Sequence, residues 1–209
     1  MSTVRHRLLR RRVLSTPVVK VWGYDRPGEK KCKHCHGQGS MGDGTPCPKC
    51  GGSGLIQKAE NPALVDDLRQ VLGDVVVMSF HTLGYHWNVR GSDFSQYHAL
   101  FQTIYEDVYS SVDLIAENVV KLGGVAPRQL SEYLTDAALN DTAATSTDPV
   151  VMANDLLDDN DALLASLMRA FQTANDANEQ GIANFLSERI DMHQKWGWQL
   201  RASAGSTGG

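Results

Sequence analysis

The sequence lacks long apolar runs: it has no stretch of about 18 consecutive apolar residues, so no segment is expected to span a membrane. Cysteine is missing from residues 59–209, because all four cysteines lie between positions 32 and 50. A disulfide framework is therefore excluded for the larger part of the chain, and a reducing cytoplasm is the favoured location. With 209 residues and 42% hydrophobic side chains, the chain can form one good core and one small additional module.

Acidic residues are missing from the first 24 positions, which contain five arginines and one lysine. Residues 1–58 carry 12 Lys and Arg against 3 Asp and Glu, a net charge of +9, whereas residues 59–209 carry 8 against 21, a net charge of −13. This division of charge indicates that the two parts of the chain have different functions. We predict a flexible basic arm over residues 1–22. The same composition also fits an organellar transit peptide, and "RRRVLSTP" faintly resembles a twin-arginine signal.

Apolar residues recur every three or four positions from Asn61 onward, which is the pattern of amphipathic helices. Four helices are predicted, over residues 61–88, 94–122, 148–175 and 179–202. Paired glycines before Pro127 end the second helix, and Asp148 with Pro149 begins the third. The connection between the second and third helices is long enough to run along a bundle, and a short helix is expected in its "RQLSEYL" segment.

The predicted fold is therefore all-α, a four-helix bundle with one long crossover, which is the ferritin-like topology. We assign this bundle to residues 59–202 and expect a flexible tail over residues 203–209. Residues 23–58 contain nine glycines and almost no aliphatic side chains, so an ordinary hydrophobic core cannot hold that segment together. We therefore expect this segment to be stabilised by something other than a hydrophobic core.

Two histidines and two carboxylates are candidates for one metal site. His86 ends the first predicted helix and His98 lies in the first turns of the second, so antiparallel packing brings the imidazoles together. Asp113 and Glu117 share a face one turn apart, but they lie about 22 and 28 Å along the same helix from His98 at about 1.5 Å per residue. A second copy packed antiparallel across a twofold axis would supply them. The alternative is that the histidines are ordinary helix-end residues and the acids a solvated face.

The chemistry of this set suits Fe(II), because two imidazoles and two carboxylates match a borderline divalent metal, whereas structural zinc more often uses thiolates. The segment "HWNVRG" at residues 86–91, Phe94, "YH" at residues 97–98 and the acids at 113 and 117 together resemble the Dps family of miniature ferritins. The resemblance covers about residues 61–202. It implies a hollow dodecamer, cytoplasmic and nucleoid-associated, that oxidises Fe(II), preferably with hydrogen peroxide, stores the ferric mineral and protects against oxidative damage.

The resemblance also implies roles for individual residues. His86 and His98 are similar to the iron ligands from one chain, Asp113 and Glu117 to those from another, and Trp87 to the tryptophan beside the site. At position 102, Gln102 stands where the family often has an aspartate, which is expected to weaken the second iron position.

Full-size ferritins place a Glu-x-x-His pair inside one bundle, and this chain has none, which argues against a di-iron centre within a subunit. We expect the two remaining histidines of the body, His81 and His193, to be core or interface residues rather than ligands.

The four cysteines form two Cys-x-x-Cys-x-Gly-x-Gly units, "CKHCHGQG" and "CPKCGGSG". Two such knuckles can present four thiolates to one tetrahedral Zn(II), which would replace the missing core of residues 23–58. The predicted zinc ligands are Cys32, Cys35, Cys47 and Cys50. The units resemble the cysteine-rich domain of DnaJ chaperones, which has four of them and two zincs. The module is either a structural knuckle fixing the arm to the shell or a part of a DNA-binding surface; a redox dithiol is a third possibility, although zinc-bound thiolates are unreactive by comparison.

The arm is suited to non-specific DNA binding, because clustered arginines in twelve copies contact phosphates and release counterions. The candidate residues are Arg5, Arg7, Arg10, Arg11 and Arg12. We interpret the protein as an iron-storing ferroxidase that also binds DNA. The alternative from another class is a DNA-compacting or partner-recruiting particle with weak or no ferroxidase activity.

Overall fold

The computed structural model describes residues 29–49, 51–52, 54–57 and 61–205. The predicted basic arm with its five arginines, the fourth cysteine Cys50 and the last residues of the predicted tail lie outside the described residues.

The larger part of the described chain is helical, as the sequence predicts. The helices are α1 (Pro62–Asn88), α2 (Phe94–Ser110), α3 (Val112–Lys121), α4 (Leu130–Asp136), α5 (Pro149–Asp176) and α6 (Gln180–Ser203). The first, third and fourth predicted helices correspond to α1, α5 and α6, and α4 is the short helix expected in the crossover. The all-α class of the bundle is confirmed.

The second predicted helix differs from the structure, because it is divided at Ser111 into α2 and α3. The Ser111 hydroxyl donates to the carbonyl oxygen of Val108 at 2.7 Å, and the Ser110 hydroxyl donates to that of Asp107 at 2.6 Å. Such side-chain bonds compete with the backbone ladder of a helix. The backbone of Ser111 keeps a helical conformation, so the interruption is a single residue long.

The helix ends form where the sequence indicates them. Asn61 caps α1 by accepting from the backbone N–H of Leu64, with proline at the first helical position. The Asp148 side chain accepts from the backbone N–H groups of Val150 and Val151 at the start of α5. After α3, Gly123 adopts a φ of +76°, a conformation that favours glycine.

The core lies between α1, α2, α5 and α6, with α3 and α4 also packed against α1. Its largest fully buried side chains include Leu64, Leu68, Leu72, Met78, Phe101, Ile104, Leu156, Leu163, Leu167 and Leu186. Each such side chain contributes about 1.5–3 kcal/mol when fully buried. The described helices thus form a four-helix bundle, and none of them is long and apolar enough to cross a membrane.

The crossover is held against α1 by two features. A Cβ at Gly73 would lie 2.6 Å from the carbonyl oxygen of Tyr133, so the missing side chain lets α4 approach closely. Next to it, the Oδ1 atom of buried Asp74 accepts from the backbone N–H groups of Ala138 and Leu139 at 2.6 and 2.9 Å.

The cysteine-containing segment includes a small antiparallel sheet of β1 (Glu29–Lys31) and β2 (Leu55–Gln57), in which Lys30 pairs with Ile56. An isolated bridge joins Ser40 and Pro46.

Candidate metal centres

Two imidazole rings lie in contact where α1 and α2 meet. His86 belongs to the last turn of α1 and His98 to the first turns of α2; their ring centroids are 3.7 Å apart and the ring planes differ by 22°. His86 is buried and His98 is half-buried. Between the helices Gly91 adopts a φ of +126°, which lets the chain reverse in a few residues. The expected meeting of the two rings is confirmed.

The hydrogen bonds of this pair determine which ring nitrogens can bind a metal. The Nδ1 of His86 lies 2.9 Å from the carbonyl oxygen of His98, and the Nδ1 of His98 lies 2.8 Å from that of His86. A carbonyl oxygen only accepts, so each Nδ1 carries a hydrogen and donates it. Each neutral ring then has its lone pair on Nε2, as in metal-binding histidines held by a backbone carbonyl.

Aromatic side chains surround the two rings. Phe94 stacks on His98 with centroids 4.8 Å apart, and Tyr105 meets His86 edge-on at 5.3 Å. Trp87 directly follows His86 and is 68% exposed. Tyr105 was not among the residues predicted for this site, although its position seven residues after His98 places both on one face of α2.

The two predicted carboxylates lie elsewhere in the chain. Asp113 and Glu117 are exposed on α3, one turn apart. Their positions 15 and 19 residues beyond His98 correspond to about 22 and 28 Å of helix. Among the described residues, only cysteines form a group of three or more side chains that could hold one metal ion. In the described part of a single chain, the histidine pair therefore has no third ligand within reach.

An exposed apolar surface adjoins the pair. Phe80 and Tyr109 are 56% and 59% exposed. They line a cavity of about 320 Å³ together with Leu83 and Tyr105, the ring that contacts His86. Large exposed apolar patches commonly mark protein–protein contacts.

One further polar contact lies on the same side of α2. The Gln102 amide donates to the carboxylate of Glu106 at 2.8 Å, and both side chains are exposed. Glu106 was not among the predicted site residues. Its spacing of two helical turns from His98 is the signal that could have found it.

The second candidate centre consists of cysteines. The ligand atoms of Cys32, Cys35 and Cys47 lie within 4.8 Å of one another, all three residues are buried, and the Cys32 and Cys47 sulfurs are 3.8 Å apart. In a tetrahedral zinc site with Zn–S bonds of about 2.3 Å, the sulfurs are about 3.8 Å apart. The three described cysteines therefore fit one zinc ion.

Glycines allow this cluster to close. Gly39 and Gly54 have φ angles of +79° and +74°, and a Cβ on either would collide with the opposite unit's backbone carbonyl, of Gly52 and Gly37 respectively. The backbone N–H of Gly39 also donates to the Cys35 sulfur at 3.3 Å. Glycine at these positions is required for two knuckles to pack face to face.

The two other histidines of the body are buried, as expected. His193 on α6 is hydrogen-bonded to Asn160, with its Nδ1 2.9 Å from the amide oxygen. His81 on α1 is only 5% exposed, and its Nδ1 lies 2.8 Å from a carboxylate oxygen of Asp159.

A comparison with known families identifies the fold. The family model described as a Ferritin-like domain matches residues 65–206. The chain belongs to the ferritin-like family. Its similarity to Dps proteins, in sequence and in structure, assigns it to the Dps group of this family.

Three relatives illustrate the similarity. An uncharacterized protein of Haemophilus influenzae is 29% identical over 148 residues, which cover 71% of this chain and 92% of the relative. The DNA protection during starvation protein 2 of Bacillus anthracis is 24% identical over 142 residues, covering 68% and 97%. The crystal structure of the Dps protein from Vibrio cholerae superposes with a TM-score of 0.64 and 28% identity, covering 68% of this chain and 89% of that one. Membership of this family supports a role in iron storage and in protection against oxidative damage.

Proposed function

We propose that this protein is a ferroxidase and iron-storage protein whose iron sites are shared between two copies of the chain. The reciprocal hydrogen bonding of His86 and His98 carries the proposal, because it leaves two Nε2 lone pairs next to each other on the fixed rings. Asp113 and Glu117 of a second copy complete the ligand set. Their exposure on α3 leaves them accessible to another subunit.

Iron is the substrate of the proposed reaction. Two Fe(II) ions each give one electron to one molecule of hydrogen peroxide, which takes up two protons and becomes two molecules of water. The resulting Fe(III) hydrolyses, releases protons and precipitates as a mineral inside the assembly. The net charge of −13 on residues 59–209 attracts Fe(II) to the particle.

The exposed apolar surface beside the pair supports contact with a second copy. Phe80 and Tyr109 would be covered by such a contact, together with the cavity that they line. A twofold axis at this surface gives two sites per pair of subunits. Dps proteins form dodecameric shells, and we propose the same assembly here.

A mixing experiment tests the shared site. The variant H86A/H98A keeps both carboxylates, and the variant D113A/E117A keeps both histidines, so neither alone has a complete site. After dissociation, mixing and reassembly, about a quarter of the sites regain all ligands, because half of random pairs are mixed and each mixed pair has one complete site of two.

The measurement is the initial rate of Fe(II) oxidation by hydrogen peroxide. A mixture with about a quarter of the wild-type rate supports the shared site, whereas a mixture no faster than the separate variants contradicts it. The variant D158A/E188A is the matched control, because it removes the same charge from exposed positions on α5 and α6. It should oxidise iron at the wild-type rate.

We further propose that the cysteine module binds zinc and that the arm binds DNA. The sulfur spacing of Cys32 and Cys47 supports zinc, with Cys35 and the predicted fourth ligand Cys50 completing a tetrahedron. The charge of the arm supports DNA binding. Together with the cysteine usage, these properties favour a nucleoid-associated particle in the cytoplasm.

A second candidate function is a DNA-compacting particle with little ferroxidase activity. Gln102 favours it, because an amide at this position removes a charged iron ligand that the resemblance leads one to expect. Iron retention distinguishes the two functions. Particles loaded anaerobically with Fe(II) and treated with peroxide should retain soluble iron, and E117A particles should retain far less; no retention in either would favour the structural particle.

A further inference from the structure

A second histidine of α1 has the surroundings of a metal ligand. His81 is 5% exposed and lies between α5 and the crossover, where its Nδ1 is 2.8 Å from Asp159 Oδ2. Its Nε2 atom is buried and has no hydrogen-bond partner among the described residues. The Oδ1 atom of the Asp141 carboxylate lies 3.7 Å from this Nε2. That distance is too long for a hydrogen bond.

The pattern is that of a carboxylate–histidine–metal triad. Histidines that bind metals usually donate the hydrogen on their other ring nitrogen to a carboxylate or carbonyl, which fixes the ring and raises its basicity. Asp159 occupies that position. Two ligand atoms at about 2.1 Å from one cation, with an angle of about 120° between them, are about 3.6 Å apart. The gap between His81 Nε2 and Asp141 Oδ1 therefore fits one ion.

The gap opens into a cavity that can hold the remaining water ligands. His81 and Asp141 both line a cavity of about 320 Å³, together with the hydroxyl-bearing residues Thr145, Ser146 and Thr147. The Asp141 side chain is 65% exposed, so an ion that enters from solvent can bind this carboxylate first. The buried imidazole then becomes its second ligand.

We propose that His81 Nε2 and Asp141 Oδ1 bind one divalent first-row transition-metal ion, with Asp159 orienting the ring and water completing the coordination. One imidazole and one carboxylate suit a borderline cation of the Zn(II), Co(II) or Fe(II) class. The ion would tie the crossover to α1 and α5. This site is distinct from the His86 pair: the two histidines are five positions apart on α1, so His81 faces α5 whereas His86 meets α2.

Protons compete with the ion for Nε2. The hydrogen bond to Asp159 raises the pKa of His81, opposed by burial and supported by the charges of Asp159, Asp141 and Asp155. Asp155 and Asp159 face the ring from α5, and Asp141 faces it from the crossover. Metal binding is therefore expected to weaken as the pH falls.

Crystals of the full chain grown with Co(II) provide the test. Anomalous difference density recorded at the cobalt absorption edge should show a peak about 2.1 Å from His81 Nε2. In D141N crystals this peak should disappear, and equilibrium dialysis should show about one Co(II) fewer per chain. Asp158 is exposed on α5 and does not line the cavity, so D158N, with the same loss of charge, should keep the peak.

Two results would overturn the proposal: no density at His81 when Co(II) fills the other centres, or density and dialysis counts that D141N leaves unchanged. The outcome does not depend on the proposed ferroxidase. A peak at His81 without one at His86 would support this site alone, and the reverse pattern would support only the shared site.

Discussion

His193 illustrates how burial at a single residue controls protonation. Its side chain is completely buried on α6, beside Asn160 and Arg189. Burial, together with the positive charge of Arg189, lowers the pKa of His193 from its ordinary value of 6.5 to about 3. The imidazole is therefore neutral in the folded protein at neutral and mildly acidic pH.

This lowered pKa predicts a loss of stability in acid. Between pH 6.5 and 3 the unfolded chain binds a proton at His193 and the folded chain does not, so the free energy of unfolding decreases as the pH falls. The contribution is at most about 1.4 kcal/mol per pH unit. Denaturant unfolding at several pH values should show a shallower decrease for H193Q, because glutamine does not titrate. His81 is unchanged in both proteins and cancels in the comparison; parallel pH dependences would contradict the prediction.

At the scale of the secondary-structure element, substitution by alanine should have opposite effects on stability at two glycines of α1. In helix interiors alanine is favoured over glycine by about 1 kcal/mol. A Cβ at Gly73 would lie 2.6 Å from Tyr133 O and 2.8 Å from Ala137 N, so α4 must move. A Cβ at Gly84 has no atom of the described residues within 4 Å. We expect G73A to lose about 1–3 kcal/mol of stability and G84A to gain a little.

The measurement for this pair is the thermal unfolding temperature of each variant beside the native protein. Opposite shifts indicate that close approach of α4 to α1 requires glycine at position 73. Equal shifts in the unfolding temperatures of the two variants would show that helix propensity alone determines the change in stability.

The cysteine module should depend on its metal independently of the bundle. C35S removes one of the clustered thiolates, so the zinc content should fall by about one ion per chain relative to the native protein. His34 is exposed in the same module and outside the cluster, so H34Q should keep its zinc. Elemental analysis after desalting measures the metal. A zinc content in C35S equal to that of the native protein would exclude the proposed ligand set.

At the scale of the whole molecule, opposite charges are separated along the chain. The body carries −13 and repels DNA, whereas the first 22 residues are basic. Deletion of residues 1–22 should therefore abolish DNA binding at moderate salt, as measured by electrophoretic mobility shift. Substitution of all five arginines of the arm by lysine should keep most of the affinity, and substitution by glutamine should remove it. DNA binding by the glutamine variant would contradict an electrostatic arm.

In the proposed assembly, the positions of a few side chains determine whether a complete iron site forms. His86 and His98 are held in one chain by hydrogen bonds between neighbouring helices, but the described part of that chain adds no carboxylate. In the proposed shared site, Asp113 and Glu117 of a second subunit complete the ligand set. A site shared in this way is compatible with the absence of a Glu-x-x-His pair from this ferritin-like chain.

Local features of the chain were predictable because they depend on residues that are close in sequence. The periodic apolar positions predicted α1, α5 and α6, and the Asp148-Pro149 pair predicted the start of α5. The short loop between His86 and His98 predicted their contact. The division at Ser111 was missed, since it depends on the rotamers of two serine hydroxyls rather than on apolar spacing.

The sequence by itself determined the helical class, the cysteine spacing and the pairing of His86 with His98. Only the tertiary structure decided which polar groups meet across the bundle. His81 and Asp159, which are hydrogen-bonded, are 78 positions apart. Asp74 accepts hydrogen bonds from backbone N–H groups 64 and 65 positions away. Such contacts arise when α1 packs against α5 and the crossover, and periodicity specifies which face of a helix is buried without specifying its neighbour.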